Sequence, residues 1–379
     1  MKMIIAAEIY PPESGGPATF IKRMEPVLAA NQIDFNVITY ADQDLVENGV
    51  IKIGRSKNLL FRYWRYFSAL KKLAQTADLI FAQGPLASGL PAILVKKLTG
   101  VKVIIKVVGD VAWERARNNN WTDQTVDEFQ AGKHSFKINW QKILRAWTVK
   151  NADLVITPSE YLKKIVSGWG ISPEKIKVIY NSFEANPRSI EQLVAKQKLN
   201  LAGDIILSVG RLAPWKGFGT LIDLLPAWLM INNNFKLLIV GTGPEEENLK
   251  RQVRNLKLED KVIFAGQVAQ AEMPIYYAAA DYFVLNSGYE GLSHTVLEAL
   301  SHGLPAAVSN IGGNPEVITN GENGLLFEYN NQQQILDSIK QMWQDQALRQ
   351  KLQHNAVNSL AKFSFDKMIE EYLITLRSE

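Results

Sequence analysis

Short runs of apolar residues alternate with amphipathic stretches along nearly the whole chain. Near-continuous apolar runs of this length are typical of parallel strands that helices cover on both faces. The sequence therefore predicts an α/β protein built from two sets of such strands. In the first half the runs lie at 3–7, 35–40, 78–82, 101–108, 153–157 and 175–180, and in the second half at 204–209, 235–240, 261–265, 281–285 and 305–309. Helical patterns stand between them, at 17–31, 59–75, 86–99 and 138–150 among others.

A polar segment without strand character, residues 181–200, separates the two sets of strands. A chain of 379 residues is long enough for about two domains. We place the first at 1–182 and the second at 183–362. Two helices are predicted at 331–344 and 346–377. Residues 109–136 fit neither pattern, because the segment is polar and too long for a simple connection, which is typical of a functional or mobile loop.

Charge is distributed unevenly between the halves. Residues 1–180 carry 25 Lys and Arg against 16 Asp and Glu, whereas residues 181–379 carry 17 against 22. A basic first half suggests an anionic partner, which phosphate groups, a membrane surface or nucleic acid would provide. Solvated lysines without a partner explain it equally well. No recognition motif accompanies the basic half, so we expect no nucleic acid.

The absence of cysteine excludes disulfides and thiolate chemistry and fits a reducing compartment. No apolar run approaches the roughly 18 residues of a membrane span. The first apolar stretch is interrupted by Glu8, which favours a buried strand over a signal peptide. A cytoplasmic protein is therefore expected.

The segment 286–318 carries the clearest candidate chemistry. The strand at 281–285 leads into a glycine-containing turn, and a helix is expected to begin near Ser293. Its first turn would offer unpaired N–H groups to a diphosphate, and Gly291 would let the backbone approach a ligand closely. Glu290 in the turn and Glu298 in the helix could hold a sugar and a ribose by their hydroxyls. The alternative is an ordinary turn with solvated acids.

A second candidate lies at 207–225, where Gly210, Arg211 and Lys216 follow a strand and precede a helix. Two cations at the carboxyl end of one strand could neutralise a diphosphate and the charge that grows on it during bond cleavage. Surface charges around a turn are the alternative explanation.

The run E-G-L-(x5)-E-A at 290–299, closed by G-x-P and S-N-I-G-G-N-P-E, resembles the donor-site motif of glycosyltransferase family 4. These retaining enzymes, the group 1 glycosyl transferases, have the GT-B fold of two doubly wound Rossmann-like domains facing across a cleft. The resemblance implies that Glu290 contacts the donor sugar and that Glu298 binds the ribose. The pattern G-R-L-x3-K-G is similar to the family's pyrophosphate clamp. Donor contacts are then expected at Gly210, Arg211, Lys216, Glu290, Gly291, Leu292, Ser293 and Glu298.

The first half supplies further candidates. Gly15 and Gly16 follow the first strand, and in the resembling family this loop lies beside the donor phosphates. Many members carry His-Asp after the strand that ends near residue 108, whereas this chain has Gly109-Asp110. Asp110 is a candidate for contacting the acceptor or a sugar hydroxyl, with a helix N-cap as the alternative. Trp113 and His134 complete the acceptor-side candidates.

The resemblance implies transfer of a sugar from a nucleoside diphosphate sugar, of UDP or GDP, to an acceptor hydroxyl with retention. The acceptor is expected to be a glycan or lipid-linked saccharide of cell-envelope polysaccharide synthesis. No cofactor and no metal are expected, since Arg211 and Lys216 would take the electrostatic role. The helix around 363–379 is expected to pack back on the first domain. Two alternatives stay open: a nucleotide-sugar 2-epimerase and a non-catalytic nucleotide-sugar-binding subunit.

The stretch 54–73 interleaves six cations with aromatic and aliphatic residues. Such a helix can lie in an anionic membrane interface, or pack on the core with a solvated basic face. Peripheral contact with the inner face of a membrane would fit a lipid-linked acceptor.

Overall fold

The computed structural model describes residues 1–13, 15–183 and 190–378. The chain divides into two compact units, of which the first comprises Met1–Ile179 and Ile369–Glu379 and the second Tyr180–Met368. The divisions therefore fall at 179/180 and 368/369, within six residues of the expected 182/183 and 362/363. Among the described residues no helix is long and apolar enough to cross a membrane.

The first unit is built on an eight-stranded sheet of order β3-β4-β2-β1-β5-β6-β7-β8. All neighbours are parallel except β3 and β4, which are antiparallel. The chain winds outward in both directions from the neighbouring pair β1 and β5. The strands are β1 (Lys2–Ala6), β2 (Asp34–Ala41), β3 (Leu45–Glu47), β4 (Val50–Gly54), β5 (Leu79–Ala82), β6 (Lys102–Lys106), β7 (Leu154–Thr157) and β8 (Ile176–Val178).

In the described residues of this unit, seven α-helices connect these strands: α1 (Gly16–Ala30), α2 (Leu59–Ala74), α3 (Gly89–Thr99), α4 (Val111–Asn118), α5 (Val126–Ala131), α6 (Phe136–Lys150) and α7 (Glu160–Ser167). The expectation of an irregular loop over 109–136 is wrong, because α4 and α5 occupy most of it. Local capping explains both helices. Asp110 caps α4, and Thr125 with Glu128 forms a complete capping box at the start of α5.

The second unit contains a wholly parallel six-stranded sheet of order β11-β10-β9-β12-β13-β14. Its strands are β9 (Asp204–Val209), β10 (Phe235–Val240), β11 (Val262–Gly266), β12 (Tyr282–Leu285), β13 (Ala306–Ser309) and β14 (Leu325–Phe327). Its helices are α8 (Gln192–Lys198), α9 (Phe218–Ile231), α10 (Glu246–Asn255), α11 (Met273–Ala279), α12 (His294–Ser301), α13 (Asn314–Val317), α14 (Gln332–Gln344) and α15 (Gln346–Asn358).

Two apolar cores cover the two faces of this second sheet. Ile206 and Leu237 belong to one core, while their neighbours Ile205, Leu207 and Leu238 belong to the other. Successive side chains of a strand point to opposite faces, so a strand buried on both sides needs apolar residues at most of its positions. This requirement explains why β9 and β10 have the bounds that their apolar runs predict.

Two segments differ from expectation. Residues 190–200, which belong to the expected linker, include α8, whose Ala195 packs with Ala278 and Ala279 of α11. Residues 184–189 of the expected linker lie outside the described part. The helix expected over 346–377 ends at Asn358 and is followed by a 3-10 turn and α16 (Phe365–Ser378).

The C-terminal part of α16 contributes to the core of the first unit. The ring of Tyr372 lies 5.0 Å from that of Phe20 and 6.0 Å from that of Phe81, measured between ring centres. Lys106 lies beneath the same aromatic group, with its ammonium nitrogen 3.4 Å from the centre of the Phe20 ring. Burial lowers the pKa of Lys106 to about 7 from its ordinary 10.5.

Candidate active site

The order of strands in the second sheet determines where its functional loops meet. After β9 the chain winds outward through β10 and β11, and it then returns to place β12 on the other side of β9. The loops that follow β9 and β12 therefore leave the same edge of the sheet in opposite directions. Ligands of doubly wound sheets bind in the crevice at such a switch point, outside the carboxyl ends of the strands.

Lys216 and Glu290 meet at this switch point although 74 positions separate them. The ammonium of Lys216 donates a hydrogen bond of 2.5 Å to Oε1 of Glu290. Both side chains are largely shielded, with 17% and 11% of their side-chain surface exposed. The two sequence motifs, one after each strand, thus form one ion pair at the carboxyl edge.

Glycines of a third loop, which follows β13, position Glu290 from the other side. Gly312 has a left-handed φ of 60°, and a Cβ there would overlap the carbonyl oxygen of Glu290. A Cβ on Gly313 would overlap the carbonyl oxygen of Gly291, and the Gly313 N–H donates to the Glu290 carbonyl at 3.0 Å. The two glycines therefore allow the backbones of neighbouring loops to touch.

The loop that carries Lys216 is anchored in a similar way. Gly217 has a left-handed φ of 58°, and a Cβ there would overlap the backbone oxygen of Asn286. The side-chain amide of Asn286 donates to the Gly217 carbonyl at 3.2 Å, and the Gly288 N–H donates to the Trp215 carbonyl at 2.6 Å. These contacts hold the loops after β9 and β12 together independently of the ion pair.

Glu298 faces the same edge from α12 and is fixed at both carboxylate oxygens. The hydroxyl of Tyr277 donates to Oε2 at 2.7 Å, and the side-chain amide of Gln270 donates to Oε1 at 2.9 Å. Burial raises the pKa of Tyr277 well above its ordinary value, and the Glu298 charge and this hydrogen bond add to the effect. The tyrosine therefore remains a donor, and a carboxylate held in this way is the kind of group that accepts hydrogen bonds from hydroxyls.

The remaining candidates of this unit lie around the ion pair. Arg211 is exposed, and in the part of the chain that the structure describes its guanidinium has no hydrogen-bond or ion-pair partner. Gly210 follows β9 directly, and Gly291 and Leu292 lead from Glu290 to Ser293. The Ser293 hydroxyl caps α12 by accepting the Val296 N–H at 3.4 Å, so the first turn of this helix follows directly on Gly291 and Leu292. Helix N-termini of this kind are common binding places for anions.

Gly15 and Gly16 belong to the first unit, where Gly15 is the N-cap of α1 and has no side-chain capping bond. A Cβ on Gly16 would meet open space, so this position leaves the helix N-terminus uncovered. Ser14, the first residue of the Ser-Gly-Gly-Pro run, lies outside the described residues. The phosphate contacts of Gly15 and Gly16 stay a prediction.

Asp110 has the structural role that stood as the alternative. It is fully buried, accepts the N–H groups of Ala112 and Trp113 at 3.0 and 3.2 Å, and pairs with Arg145. The amide of Gln130 donates to its other oxygen at 2.9 Å. Because these partners occupy the carboxylate inside the unit, the geometry favours a role in holding α4 and α6, and contact with an acceptor stays a prediction.

Trp113 and His134 are also engaged within the first unit. Trp113 is 1% exposed, and its indole N–H donates to the Gln124 carbonyl at 2.9 Å. A ring nitrogen of His134 lies 2.9 Å from the Phe129 carbonyl oxygen, and the two rings are in contact at 4.2 Å between centres. Their acceptor-side roles stay predictions.

Sequence reasoning missed a polar cluster at the carboxyl edge of the first sheet. Tyr63 of α2 lies in the combined field of Arg115, Glu8 and Arg62. Burial raises the pKa of Tyr63, Glu8 adds to this, and the two arginines oppose it. Among the described residues neither Arg62 nor Arg115 forms an ion pair. In the sequence Arg62 and Tyr63 stand within a basic helical stretch, and no local signal connects them with Glu8 or Arg115.

His, Asp and Glu do not form a group of three or more suited to a metal ion anywhere in the described residues. The charged groups that the two motifs bring to the edge of the second sheet are the Lys216–Glu290 pair, Arg211 and Glu298.

Two family models match the chain and together cover most of it. The model of group 1 glycosyl transferases matches residues 189–359, and that of Glycosyltransferase Family 4 matches residues 14–186. The chain therefore belongs to this family of glycosyltransferases.

Curated relatives agree with this assignment. An uncharacterized glycosyltransferase of Methanocaldococcus jannaschii is 32% identical over 57% of this chain and 58% of its own length. N-acetylgalactosamine-N,N'-diacetylbacillosaminyl-diphospho-undecaprenol 4-alpha-N-acetylgalactosaminyltransferase of Campylobacter jejuni is 30% identical over 62% of each chain. The matches thus span about three-fifths of the length of these relatives.

Solved structures match over the whole chain and establish the fold. Anabaena HepE in complex with UDP and glucose has a TM-score of 0.81 and 21% identity, over 100% of this chain and 99% of its own. Sucrose-phosphate synthase from Thermosynechococcus elongatus has a TM-score of 0.83 and 20% identity, over 100% and 98%. The two Rossmann-like units are those of the GT-B fold.

Proposed function

We propose that the protein is a retaining, metal-independent glycosyltransferase that transfers a hexose from a nucleoside diphosphate sugar to an acceptor hydroxyl. The observation that carries the proposal is the shielded Lys216–Glu290 pair at the switch point of the second sheet. A cation held this close to the strand ends can stabilise negative charge on a leaving diphosphate without reorganisation. UDP or GDP is the expected nucleotide, since solved relatives hold UDP and curated relatives are described as GDP-mannose-dependent.

Each group of the site then has a distinct task. Arg211, which has no ion-pair partner among the described residues, and Lys216 bind the diphosphate together with the first amides of α12. Glu290 holds Lys216 in place and accepts a hydroxyl of the donor sugar. Glu298, fixed by Tyr277 and Gln270, accepts the ribose diol. As the anomeric bond breaks, charge moves onto the diphosphate, and the two cations stabilise the transition state more than the ground state.

The acceptor side of the proposal uses the polar cluster of Glu8, Arg62, Tyr63 and Arg115. These side chains lie at the carboxyl edge of the first sheet, where Glu8 follows β1 and Arg115 belongs to the helix after β6. Two arginines without ion-pair partners among the described residues can bind a phosphate in bidentate geometry, and Glu8 can accept sugar hydroxyls. An acceptor that joins a saccharide to a phosphate fits this combination.

Peripheral contact with an anionic membrane is the last part of the proposal. The first turns of α2 expose Leu60, Phe61 and Trp64 by 82%, 48% and 61%. Cations alternate with these residues along the helix, which is the pattern of an interfacial helix. A lipid-linked acceptor would be reached from such a surface, and the name of the Campylobacter enzyme includes a diphospho-undecaprenol substrate.

The test is a donor screen by thermal shift, with uridine, guanosine, adenosine and thymidine diphosphates and their common sugars, in the absence of metal. A ligand present at 100 times its dissociation constant adds about 2.7 kcal/mol to stability. The shift should be lost in Lys216→Ala and kept in Lys250→Ala, whose lysine also pairs with a glutamate but lies on the surface of α10.

Turnover and stereochemistry complete the test once a donor is known. Glu290→Gln should lower turnover by about 10²–10³-fold, in line with the loss of one transition-state contact, while the thermal unfolding temperature stays near that of the wild type. Proton NMR of the fresh product should show the anomeric configuration of the donor. An inverted product would reject the retaining mechanism. Near-normal turnover in both Glu290→Gln and Lys216→Ala would reject the proposed site.

A further inference from the structure

A stripe of exposed apolar side chains runs along the first half of α6. Phe136, Trp140 and Ile143 are 83%, 52% and 57% exposed. Their spacing of four and three positions places them on one face of the helix, and the first two rings stack at 6.4 Å between centres. Single exposed apolar residues are ordinary, but a contiguous stripe with two aromatic rings is typical of a surface that binds another protein or a membrane.

The surroundings of this stripe are cationic. Residues 132–151 contain no Asp or Glu. Four of their basic residues, Lys133, Lys137, Lys142 and Lys150, lie outside the core, whereas Arg145 is buried against Asp110. The ammonium of Lys137 lies 4.1 Å from the ring centre of Trp121, which is itself 39% exposed. Aromatic rings with lysines beside them are the composition of a membrane interface.

The stripe on α6 lies on the same side of the first sheet as the exposed turns of α2. Helix α2 packs on α3, and α3 packs on α6, so the three form one layer. A helix that connects two parallel strands begins at the carboxyl edge of the sheet. The exposed residues of both α2 and α6 lie in the N-terminal halves of their helices, and both sets therefore lie toward this edge.

We infer that the N-terminal halves of α2 and α6 insert together into the headgroup region of an anionic bilayer. The inference rests on the membrane contact of the proposed function and adds a second, independent contact. Residues 54–73 also contain no acidic residue. Two such cationic surfaces would repel each other in a symmetric contact between copies, whereas anionic lipid headgroups neutralise both.

This orientation would also place Arg62 and Arg115 beside the lipid headgroups. An acceptor that is anchored by its lipid would then present its phosphate to these arginines without leaving the bilayer. The proposed acceptor cluster and the membrane contact would then lie on one side of the first unit.

The experiment is co-sedimentation with vesicles of equal parts phosphatidylcholine and phosphatidylglycerol. Phe136→Ser combined with Trp140→Ser should lower the partition coefficient at least about tenfold, given the apolar area that two aromatic rings would otherwise bury. Met230→Ser removes an apolar side chain that is 89% exposed on α9 in the second unit and should leave binding unchanged. Because all three residues are exposed, the variants should fold, which circular dichroism would check.

The insertion depth of Trp140 is measured with vesicles whose acyl chains carry bromine, which quenches nearby tryptophan fluorescence. The quenching due to Trp140 is the difference between the wild type and Trp140→Phe. Quenching of the Trp140 emission supports the inference. Equal vesicle binding by the α6 double variant and Met230→Ser overturns the inference. If Arg62→Ala combined with Arg65→Ala weakens binding in the same experiment, the membrane contact through α2 still stands. If the wild type does not bind these vesicles, both ideas fail. Loss of self-association in the α6 variant, with vesicle binding unchanged, would assign the stripe to a second copy and also overturn the inference.

Discussion

Replacing Lys106 by methionine should stabilise the protein at neutral pH. Lys106 is 4% exposed, and in the described part of the chain no carboxylate pairs with it. Its folded pKa of about 7 lies below the ordinary 10.5, so the folded state discourages the charged form. Each unit of such a shift is worth about 1.4 kcal/mol, which gives a cost of about 4 kcal/mol at pH 7.

The aromatic rings around Lys106 oppose this cost. The ammonium lies 3.4 Å from the ring centre of Phe20 and 5.5 Å from that of Tyr372. Contacts of this kind stabilise a desolvated cation by about 2 kcal/mol. The net gain expected for Lys106→Met at pH 7 is therefore about 2–4 kcal/mol, because methionine has a similar length and brings no charge.

The contribution of Lys106 to stability should change with pH in a definite direction. Between pH 7 and 10.5 the unfolded chain binds more protons at this lysine than the folded chain, so wild-type stability rises with pH. The cost of Lys106 falls to about 2 kcal/mol at pH 9, and the advantage of Lys106→Met should shrink by about 2 kcal/mol between pH 7 and pH 9.

Guanidinium unfolding at the two pH values measures this difference, with Lys72→Met as the control for loss of one exposed lysine. A Lys106→Met protein that is no more stable than the wild type at pH 7 would refute the reasoning. So would an advantage that does not decrease toward pH 9 relative to the control.

Two further predictions concern buried contacts. Arg145→Met should destabilise the first unit by about 3–5 kcal/mol in denaturant unfolding, because it leaves the fully buried Asp110 without its ion-pair partner; an effect as small as that of Lys150→Met on the same helix would contradict this. Gly312→Ala should weaken donor binding, measured by thermal shift, because its Cβ would overlap the carbonyl oxygen of Glu290. Gly266→Ala is the control, because Gly266 has a similar left-handed φ but open space where a Cβ would lie, so this variant measures the backbone strain of about 1–2 kcal/mol alone. Equal donor affinity in Gly312→Ala and Gly266→Ala would show that the overlap with the Glu290 carbonyl oxygen does not affect donor binding.

The sequence pattern predicted the strands that are buried on both faces far better than the short ones. The runs for β9 and β10 have the bounds of the structure, since most positions of those strands are both buried and apolar. By contrast β3 has three exposed residues and β14 is only three residues long, so neither produces a run that stands out. The capping pair Thr125 and Glu128 was readable in the sequence, and it would have corrected the expectation of an irregular loop there.

The sequence predicted the individual motifs of the candidate site but not how they come together. Each motif indicates a charged group at the end of a strand, but the pairing of Lys216 with Glu290 follows from β9 and β12 being neighbours, which is a property of the whole sheet. The same limit applies to Asp110, whose partner Arg145 lies 35 positions away on another helix. An acidic residue just before a helix can either cap the helix or bind a substrate, and the sequence does not distinguish these roles until the partners of the side chain are known.

The return of α16 to the first unit has a consequence for the order in which the protein matures on the ribosome. The 189 residues of Tyr180–Met368 must be synthesised between the two parts of the first unit. At about 5–20 residues per second, this takes about 10–40 seconds, during which the nascent first unit lacks Tyr372 and Leu376. The unit that begins translation first is thus the last to complete its core, and until then its apolar surface around Phe20 and Phe81 is exposed to chaperones and proteases.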